Sequence, residues 1–433
     1  MAVHSTPTAK RSPKAKFKSF MVRLAAAVAA VLISPPLASF ISHNTDVTGL
    51  IVGVWEDEKA AVEQRALSGG SSPLSLEMSN SALLIYRPPP LGGALSDNGE
   101  IIPQVLPPLD YGFFEEFPES EFSGYEEVTP IEANPPSFNE PAAQVLSQNI
   151  GDTEEESIVF TEIDGRIVKT NFGPGGGSSF VALDLAGQVR NDTDLSNAAV
   201  LAESRKLPAL FLELNGEPEI LIIHTHTTEA FQPSEYDYFD SAYSGRSLDS
   251  SRNIVAVGAE IAKSFAAAGI TVIHDGTLHD YPAFKDSYKR SAETVRQILA
   301  AYPSIKVVLD IHRDAIDGEN GSRLAPVTEI DGRNAAQVMI LSAADDGTYD
   351  MPNYLQNFRL AALFQQHMEH DNPGITRPVW FQYSQYNQHI MPGSLLVEVG
   401  THGNTLEEAK YTGKLIGTSM AEALLQVTRT VDN

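Results

Sequence analysis

The 433-residue sequence contains no cysteine, which excludes disulfides, cysteine-ligated zinc sites and thiol nucleophiles. Its formal net charge of −26 argues against binding to a nucleic-acid backbone. The length suits one large domain with extensions or two domains, and any metal would have to be held by histidine, aspartate or glutamate.

The N-terminal segment, residues 1–42, has the pattern of an export signal or membrane anchor. Residues 1–23 carry six lysines or arginines and no acidic residue, and the run from Leu24 to Ile41 is free of charge. This run is marginal for crossing about 30 Å of hydrocarbon, and two prolines interrupt it, so a cleaved signal and an uncleaved transmembrane anchor both stay open. Because a positive flank stays in the cytoplasm, we expect the chain after residue 42 to be extracytoplasmic.

The following segment, residues 43–155, is acidic and rich in proline. Between Arg87 and Arg166 there are 17 aspartates or glutamates and no lysine or arginine. Such a composition cannot bury enough apolar surface to offset the entropy lost on ordering, and like charges extend the chain. We predict that residues 43–155 form a disordered spacer that holds a catalytic domain away from the membrane.

Ordered structure is predicted from about residue 156. Alternating residues on both sides of Asp164-Gly165 indicate a hairpin, and residues 156–216 are predicted to be a β-rich part of the catalytic region. Residues 217–433 are predicted to form the catalytic domain, in which strands such as EILIIH and IKVVLDIHRD alternate with helices such as NIVAVGAEIAKSFAAAG. This order predicts an α/β fold with an open, mostly parallel, twisted sheet and helices on both faces.

Polar side chains lie where three of the predicted strands end, which is the edge at which open α/β sheets bind ligands. His224, His226 and Glu229 follow the first strand, His312 belongs to the third, and Glu398 belongs to the last. Two or three imidazoles and a carboxylate can hold zinc, and a further carboxylate can act as a base toward water. The sequence therefore predicts a zinc hydrolase site, although a single histidine at a strand end is more often structural.

Glu398 is the most informative of these residues. It lies within SLLVEVG, and a carboxylate among such apolar neighbours is costly to bury unless it is paired or bound to a metal. His224 and His226 are two residues apart, a spacing that places side chains on one face of a strand.

Five stretches in order, ILIIHTHTTEAF, HDYPAFKDSYKRSAETVRQIL, DIHRDAI, GRNAAQVMIL and YNQHIMPGSLLVEVGTHGNTLEEA, carry a family resemblance over roughly residues 157–430. Together they resemble the stage II sporulation protein P family, membrane-anchored cell-wall hydrolases of endospore-forming bacteria. The resemblance implies a zinc-dependent N-acetylmuramoyl-L-alanine amidase that removes stem peptides from peptidoglycan, with cleavage of peptide cross-links also described. It further implies action in the intermembrane space during forespore engulfment, with sporulation proteins D and M as partners.

The resemblance also implies roles for individual residues. His224 matches the first zinc ligand by position, His312 matches the second, and Glu398 matches the catalytic glutamate. The acidic ligand of the wider amidase family lies four residues before an asparagine that opens a helix. Here Asn253 is that asparagine and Asp249 takes the place of the usual glutamate.

Two assignments stay open within this set. Because aspartate is one methylene shorter than glutamate, Glu229 or His226 can replace Asp249 as the third ligand. The oxyanion formed during hydrolysis needs a donor besides zinc, and Arg313 and His226 are candidates by proximity in sequence.

Two other classes of protein are alternatives to a zinc amidase. An amidohydrolase barrel also begins with His-x-His, but too little chain follows His224 to supply eight strand–helix units. The second alternative is a cell-envelope scaffold with a decayed site, against which the presence of His224, His312 and Glu398 argues.

Overall fold

The computed structural model describes residues 83–89, 93–96, 98–106, 163–243 and 245–431. The predicted basic flank and anchor, most of the predicted spacer and the first half of the predicted hairpin lie outside these ranges. Within them, no helix has both the length and the apolar character that crossing a membrane requires.

The described ranges contain sixteen strands and five α-helices. The strands are β1 (Leu83–Tyr86), β2 (Ala94–Leu95), β3 (Ile101–Ile102), β4 (Gln104–Val105), β5 (Gly165–Thr170), β6 (Phe180–Ala182), β7 (Gln188–Asp192), β8 (Ile220–Ile223), β9 (Tyr238–Phe239), β10 (Val272–Asp275), β11 (Val307–Asp314), β12 (Arg323–Ile330), β13 (Arg333–Ala336), β14 (Val338–Ala344), β15 (Val379–Tyr383) and β16 (Ser394–Thr401). The helices are α1 (Asn197–Ser204), α2 (Ile254–Ala267), α3 (Ser287–Ala301), α4 (Tyr354–Asp371) and α5 (Leu406–Val431).

Ten strands form the central sheet, in the order β4-β1-β10-β8-β11-β16-β14-β15-β7-β6. Strands β10, β8, β11 and β16 are parallel to one another, whereas β14 is antiparallel to β16. The sheet is therefore mixed and mostly parallel, which confirms the predicted α/β class. A second sheet, in the order β13-β12-β5-β9, was not predicted.

Helices cover both faces of the central sheet, as predicted. Alternate residues of β8 point to opposite sides: Ile220 and Ile222 join the core that includes α2, α4 and α5. Leu221 and Ile223 join the smaller core formed with α3. Because β8 is buried on both faces, its sequence is a continuous apolar run rather than an alternating one.

The prediction of a disordered spacer over residues 43–155 is wrong for the part that contains β1 to β4, of which β1 is the clearest case. Its four residues, LLIY, are all buried, and β1 pairs antiparallel with β10 of the central sheet. The acidic composition of the long segment hides this short apolar run, whose partner lies almost two hundred positions later. The first half of the predicted hairpin at Asp164-Gly165 lies outside the described residues, and the second half, β5, pairs with β9 and β12.

Gly258, in α2, lets two buried histidine rings approach the helix backbone. A Cβ atom at this position would lie 2.7 Å from the His224 ring and 2.8 Å from Nε2 of His274. We expect Gly258→Ala to lower the free energy of unfolding by about 1–3 kcal/mol because of overpacking, despite the better helix propensity of alanine. Urea unfolding measures this, with Gly176→Ala as the control because a Cβ there meets nothing within 4 Å. A Gly258→Ala variant more stable than the parent would contradict the packing.

His389, between β15 and β16, predicts a pH dependence of stability. Burial, and next the positive charge of Arg296, lower the pKa of His389 to about 4. Since an unfolded histidine titrates near 6.5, the unfolded chain binds the proton more readily between these values, and stability falls as pH falls through this window. We expect a loss of roughly 1–2 kcal/mol from His389 between pH 7 and pH 5. Urea unfolding at both pH values should show a smaller loss for His389→Gln; an equal loss would exclude this contribution.

Candidate metal centre

The candidate site begins where β8 leaves the core. The strand ends at Ile223, and the chain then turns, with the Glu229 backbone N–H donating to the His226 carbonyl at 3.1 Å. Asp280 stabilises this turn, since its carboxylate accepts a hydrogen bond from the Thr228 hydroxyl at 2.6 Å. The alternation of a strand therefore stops before the two histidines, and they face different surroundings.

His226, Glu229 and His312 form the one group of three or more metal-ligating side chains that the described part of the chain brings together. His226 Nδ1 lies 3.4 Å from Glu229 Oε1, and His312 Nδ1 lies 3.6 Å from Glu229 Oε2. One ligand atom from each residue falls within 4.8 Å of the others. Ligands held about 2.0–2.1 Å from a tetrahedral zinc ion are separated by about 3.3–3.4 Å, so the donor types and spacings fit zinc.

The charges in this cluster are strongly coupled. Burial alone would raise the pKa of Glu229, but contacts with His226 and His312 hold this pKa well below its usual range. Burial would lower the pKa of His312, but the carboxylates of Asp310 and Glu229 hold that pKa well above its usual range. The site therefore favours positive charge between its carboxylates, which a metal ion would also supply.

Asp310 supports the far side of the His312 ring. Its Oδ1 lies 2.9 Å from His312 Nε2, opposite the nitrogen that faces Glu229. Asp310 is itself fixed by the backbone N–H and hydroxyl of Thr225, at 2.8 Å and 2.6 Å. Metal-binding histidines commonly face a carboxylate with their second ring nitrogen, so this arrangement also suits a ligand role for His312.

His224, the predicted first ligand, lies outside the cluster in a buried pair. Its Nδ1 is 2.8 Å from the carbonyl of Ile311, and its Nε2 is 2.8 Å from Nε2 of His274. The network assigns Nδ1–H of His224 as donor to that carbonyl, so its Nε2 accepts from Nε2–H of His274. Both ring nitrogens are occupied, and burial lowers the pKa of His224 to about 4.

Asp249, the predicted acidic ligand, is also outside the cluster. Its side chain is exposed and accepts hydrogen bonds from the backbone N–H and hydroxyl of Ser251, at 2.9 Å and 2.7 Å. The four-residue spacing to Asn253 is present, and Asn253 does cap α2, but the aspartate serves a local turn. The geometry brings His312 together with His226 and Glu229 instead, which were the alternatives that the sequence left open.

Glu398 lies beside the cluster on the adjacent strand. On β16 it is the register partner of His312 on β11. Its Oε2 is buried and has no hydrogen-bond partner within the described ranges. Burial, and next the carboxylate of Asp314, raise the pKa of Glu398 to about 8. An unpartnered carboxylate next to a candidate metal site can exchange a proton with a group bound there.

Arg313, predicted as an oxyanion donor, binds backbone carbonyls instead. Its Nε donates to the carbonyl of Ala230 at 2.9 Å, and its Nη2 donates to the carbonyl of Gly245 at 3.0 Å. Its backbone N–H donates to Glu229 Oε2 at 3.0 Å. Arg313 therefore fixes the loop that carries the cluster.

Aromatic side chains form a wall around the cluster that sequence reasoning missed. The His226 ring stacks on Phe284, with centroids 4.5 Å apart, and meets Tyr288 edge-on at 5.4 Å. Tyr288 is also parallel to the His312 ring at 6.4 Å. Both aromatics belong to YPAFKDSY at the start of α3, where the density of aromatic residues was the available signal.

Comparisons with solved structures give loose matches to amidases. The N-acetylmuramoyl-L-alanine amidase AmiC2 of Nostoc punctiforme has 13% identity and a TM-score of 0.27, covering 49% of this chain and 97% of that one. An N-acetylmuramoyl-L-alanine amidase from Clostridium difficile 630 has 15% identity and a TM-score of 0.29, covering 50% of this chain and 98% of that one. TM-scores below 0.5 are too low to carry an argument about this chain.

Sequence comparisons are more decisive. The stage II sporulation protein P of Bacillus subtilis (strain 168) is 26% identical over 208 residues, which are 45% of this chain and 49% of that protein. The match thus spans about half the length of this curated relative. The family model described as Stage II sporulation protein P (SpoIIP) matches residues 114–421, a range that contains the whole cluster and Glu398. Because this match covers well over half of the sequence, the chain belongs to the Stage II sporulation protein P (SpoIIP) family.

Proposed function

We propose that this protein is a zinc-dependent peptidoglycan hydrolase of the N-acetylmuramoyl-L-alanine amidase type. The observation that carries the proposal is the cluster of His226, Glu229 and His312 beside Glu398, whose buried Oε2 accepts no hydrogen bond from the residues that the structure describes. Family membership supports a role in sporulation, and the resemblance of the sequence motifs supports the muramoyl amide as the bond that is cleaved. Removal of stem peptides during forespore engulfment is the resulting role.

His226, Glu229 and His312 would hold the zinc ion, which when bound would polarise the scissile carbonyl and lower the pKa of a water molecule. The positive charge of an ion held there would lower the pKa of Glu398, on the strand beside His312, so that its carboxylate accepts the proton of the attacking water as the bond between oxygen and carbon forms. Glu398 then returns this proton to the leaving amine as the bond between carbon and nitrogen breaks. The Asp310 carboxylate, 2.9 Å from His312 Nε2, faces that ring with negative charge throughout.

Cleavage of peptide cross-links is a second activity open to the same residues, because a cross-link is also an amide. The competing function is a scaffold whose site has decayed. A scaffold needs neither the orphaned Glu398 oxygen nor the supported His312 ring, so the geometry favours an enzyme.

We also propose that residues 1–42 anchor the protein in the cell membrane and that its catalytic domain is extracytoplasmic. The basic flank and the uncharged run that follows support this orientation. In a sporulating cell the domain would then act in the intermembrane space, with sporulation proteins D and M as the partners that the family resemblance implies.

The test uses the full 433-residue chain and purified peptidoglycan. We expect free stem peptides among the products by mass spectrometry, loss of this release after treatment with a chelator, and recovery on adding zinc. Release that survives complete removal of zinc, or products that contain only cleaved glycan, would show that the proposal is wrong.

A further inference from the structure

The turn between β15 and β16 holds two consecutive residues in an unfavourable backbone conformation. Tyr386 has φ 44° and Asn387 has φ 57°, which is the left-handed region that favours glycine. This conformation is strained for tyrosine and better tolerated by asparagine, and it persists at Tyr386 only when its surroundings enforce it. Strain of this kind gathers at active sites and ligand clamps.

Buried amide side chains enforce this turn. Asn387 Nδ2 donates to the carbonyl of Tyr288 at 2.9 Å and to Ser291 Oγ at 3.0 Å, which ties the turn to α3. Gln388 ties the turn to β14, since its Oε1 accepts from the Ala343 N–H at 3.0 Å and its Nε2 donates to the Leu341 carbonyl at 3.0 Å. Both anchors directly follow Tyr386 and hold the backbone on its C-terminal side.

Tyr386 lies beside Tyr288, one of the aromatic residues around the candidate site. Its ring centroid lies 5.7 Å from that of Tyr288, whose ring is parallel to His312. Tyr386 is partly exposed, and its phenol makes no hydrogen bond with the residues that the structure describes. Burial, and next the carboxylate of Glu398, raise the pKa of Tyr386 to about 12, so the phenol keeps its proton at neutral pH.

Hydrolysis of an amide builds negative charge on the carbonyl oxygen, and a fixed donor near that oxygen accelerates the reaction. Arg313 cannot supply this donor, because it binds backbone carbonyls. His226 belongs to the cluster. We propose that Tyr386 is a substrate-contacting catalytic residue, whose phenol donates a hydrogen bond to the oxygen of the carbonyl under attack. This inference rests on the proposed amide hydrolase function.

Tyr386→Phe in the full chain tests the proposal, since it removes only the hydroxyl. With a soluble muramoyl-peptide substrate, we expect kcat to fall by about 10²–10³-fold with little change in KM. Zinc content and thermal melting should match the parent. Tyr354→Phe is the matched control, because Tyr354 is a partly buried tyrosine on α4 that stacks on Phe381. Its kcat should equal that of the parent.

Tyr386→Leu removes the ring as well and should lose at least as much activity. A Tyr386→Phe variant with parental kcat overturns the proposal even if Tyr386→Leu is inactive, because the ring alone would then matter. A fall in zinc content that accounts for the lost activity also overturns it. If the parent itself releases no peptide, the proposed hydrolase function is wrong, and so is this inference. If the parent is active and Tyr386→Phe is equally active, this inference alone is wrong.

Discussion

Glu398→Gln is expected to lower the rate of peptide release by at least about 10³-fold, while the fold and the zinc content stay unchanged. The amide keeps the shape of the side chain but cannot accept the proton of the attacking water, a step that typically contributes 10²–10⁴-fold. Because Oε2 of Glu398 is buried without a partner in the described part of the chain, replacing the carboxylate should not destabilise the protein.

The measurement compares initial rates of stem-peptide release with zinc per chain and with the melting temperature. Glu407→Gln, on the first turn of α5, is a matched control, because its carboxylate is exposed and pairs with Lys410. A Glu398→Gln variant that keeps a rate within tenfold of the parent would remove Glu398 from the mechanism.

His226→Ala and Glu229→Gln are expected to reduce bound zinc from one ion per chain to nearly none. Each change removes one of three protein ligands from the candidate site, and zinc sites of this kind depend on all three. Asp249→Asn should leave zinc binding at the parental level, because Asp249 is exposed and bound to Ser251. Zinc per chain after dialysis, by elemental analysis, separates these variants.

His224→Asn extends this comparison. We expect it to lower the free energy of unfolding by roughly 1–3 kcal/mol, because it leaves the buried Nε2–H of His274 without an acceptor. Its zinc content at low temperature should stay close to the parental value. Loss of zinc in Asp249→Asn, or retention of zinc in His226→Ala, would contradict this assignment. It would favour the ligand set predicted from the sequence, in which Asp249 takes part.

The fold and part of the site could be predicted because they depend on local patterns and on simple topology. The buried run of β8 and the helical periodicity of α2 are local signals. His312 and Glu398 were predicted to share an edge because neighbouring parallel strands end together, and they are indeed register partners.

The remaining features depend on geometry that spacing does not encode. The prediction that His224 and His226 lie on one face assumed that β8 continues through both residues. The chain instead turns directly after Ile223. One histidine therefore enters the core beside His274, and the other faces His312. Asp249 matched a four-residue spacing, yet that spacing does not fix the direction of a side chain in a loop.

Contacts between segments far apart in the sequence could not be predicted either. Strand β1 is short, and its partner β10 lies far along the sequence, so its composition alone gave no reason to expect a sheet position. The proposed role of Tyr386 could not be predicted, because nothing in the sequence shows that its backbone adopts the left-handed conformation. The side chains that enforce it come from the turn itself and bind α3 and β14.

The most direct test of the central claim is anomalous diffraction at the zinc edge from crystals of the zinc-loaded 433-residue chain. The account predicts a peak about 2.0–2.2 Å from Nδ1 of His226, a carboxylate oxygen of Glu229 and Nδ1 of His312, with Glu398 beside it but unbound. A peak at His224 or Asp249, or no peak at the cluster in a chain that binds zinc, would contradict it.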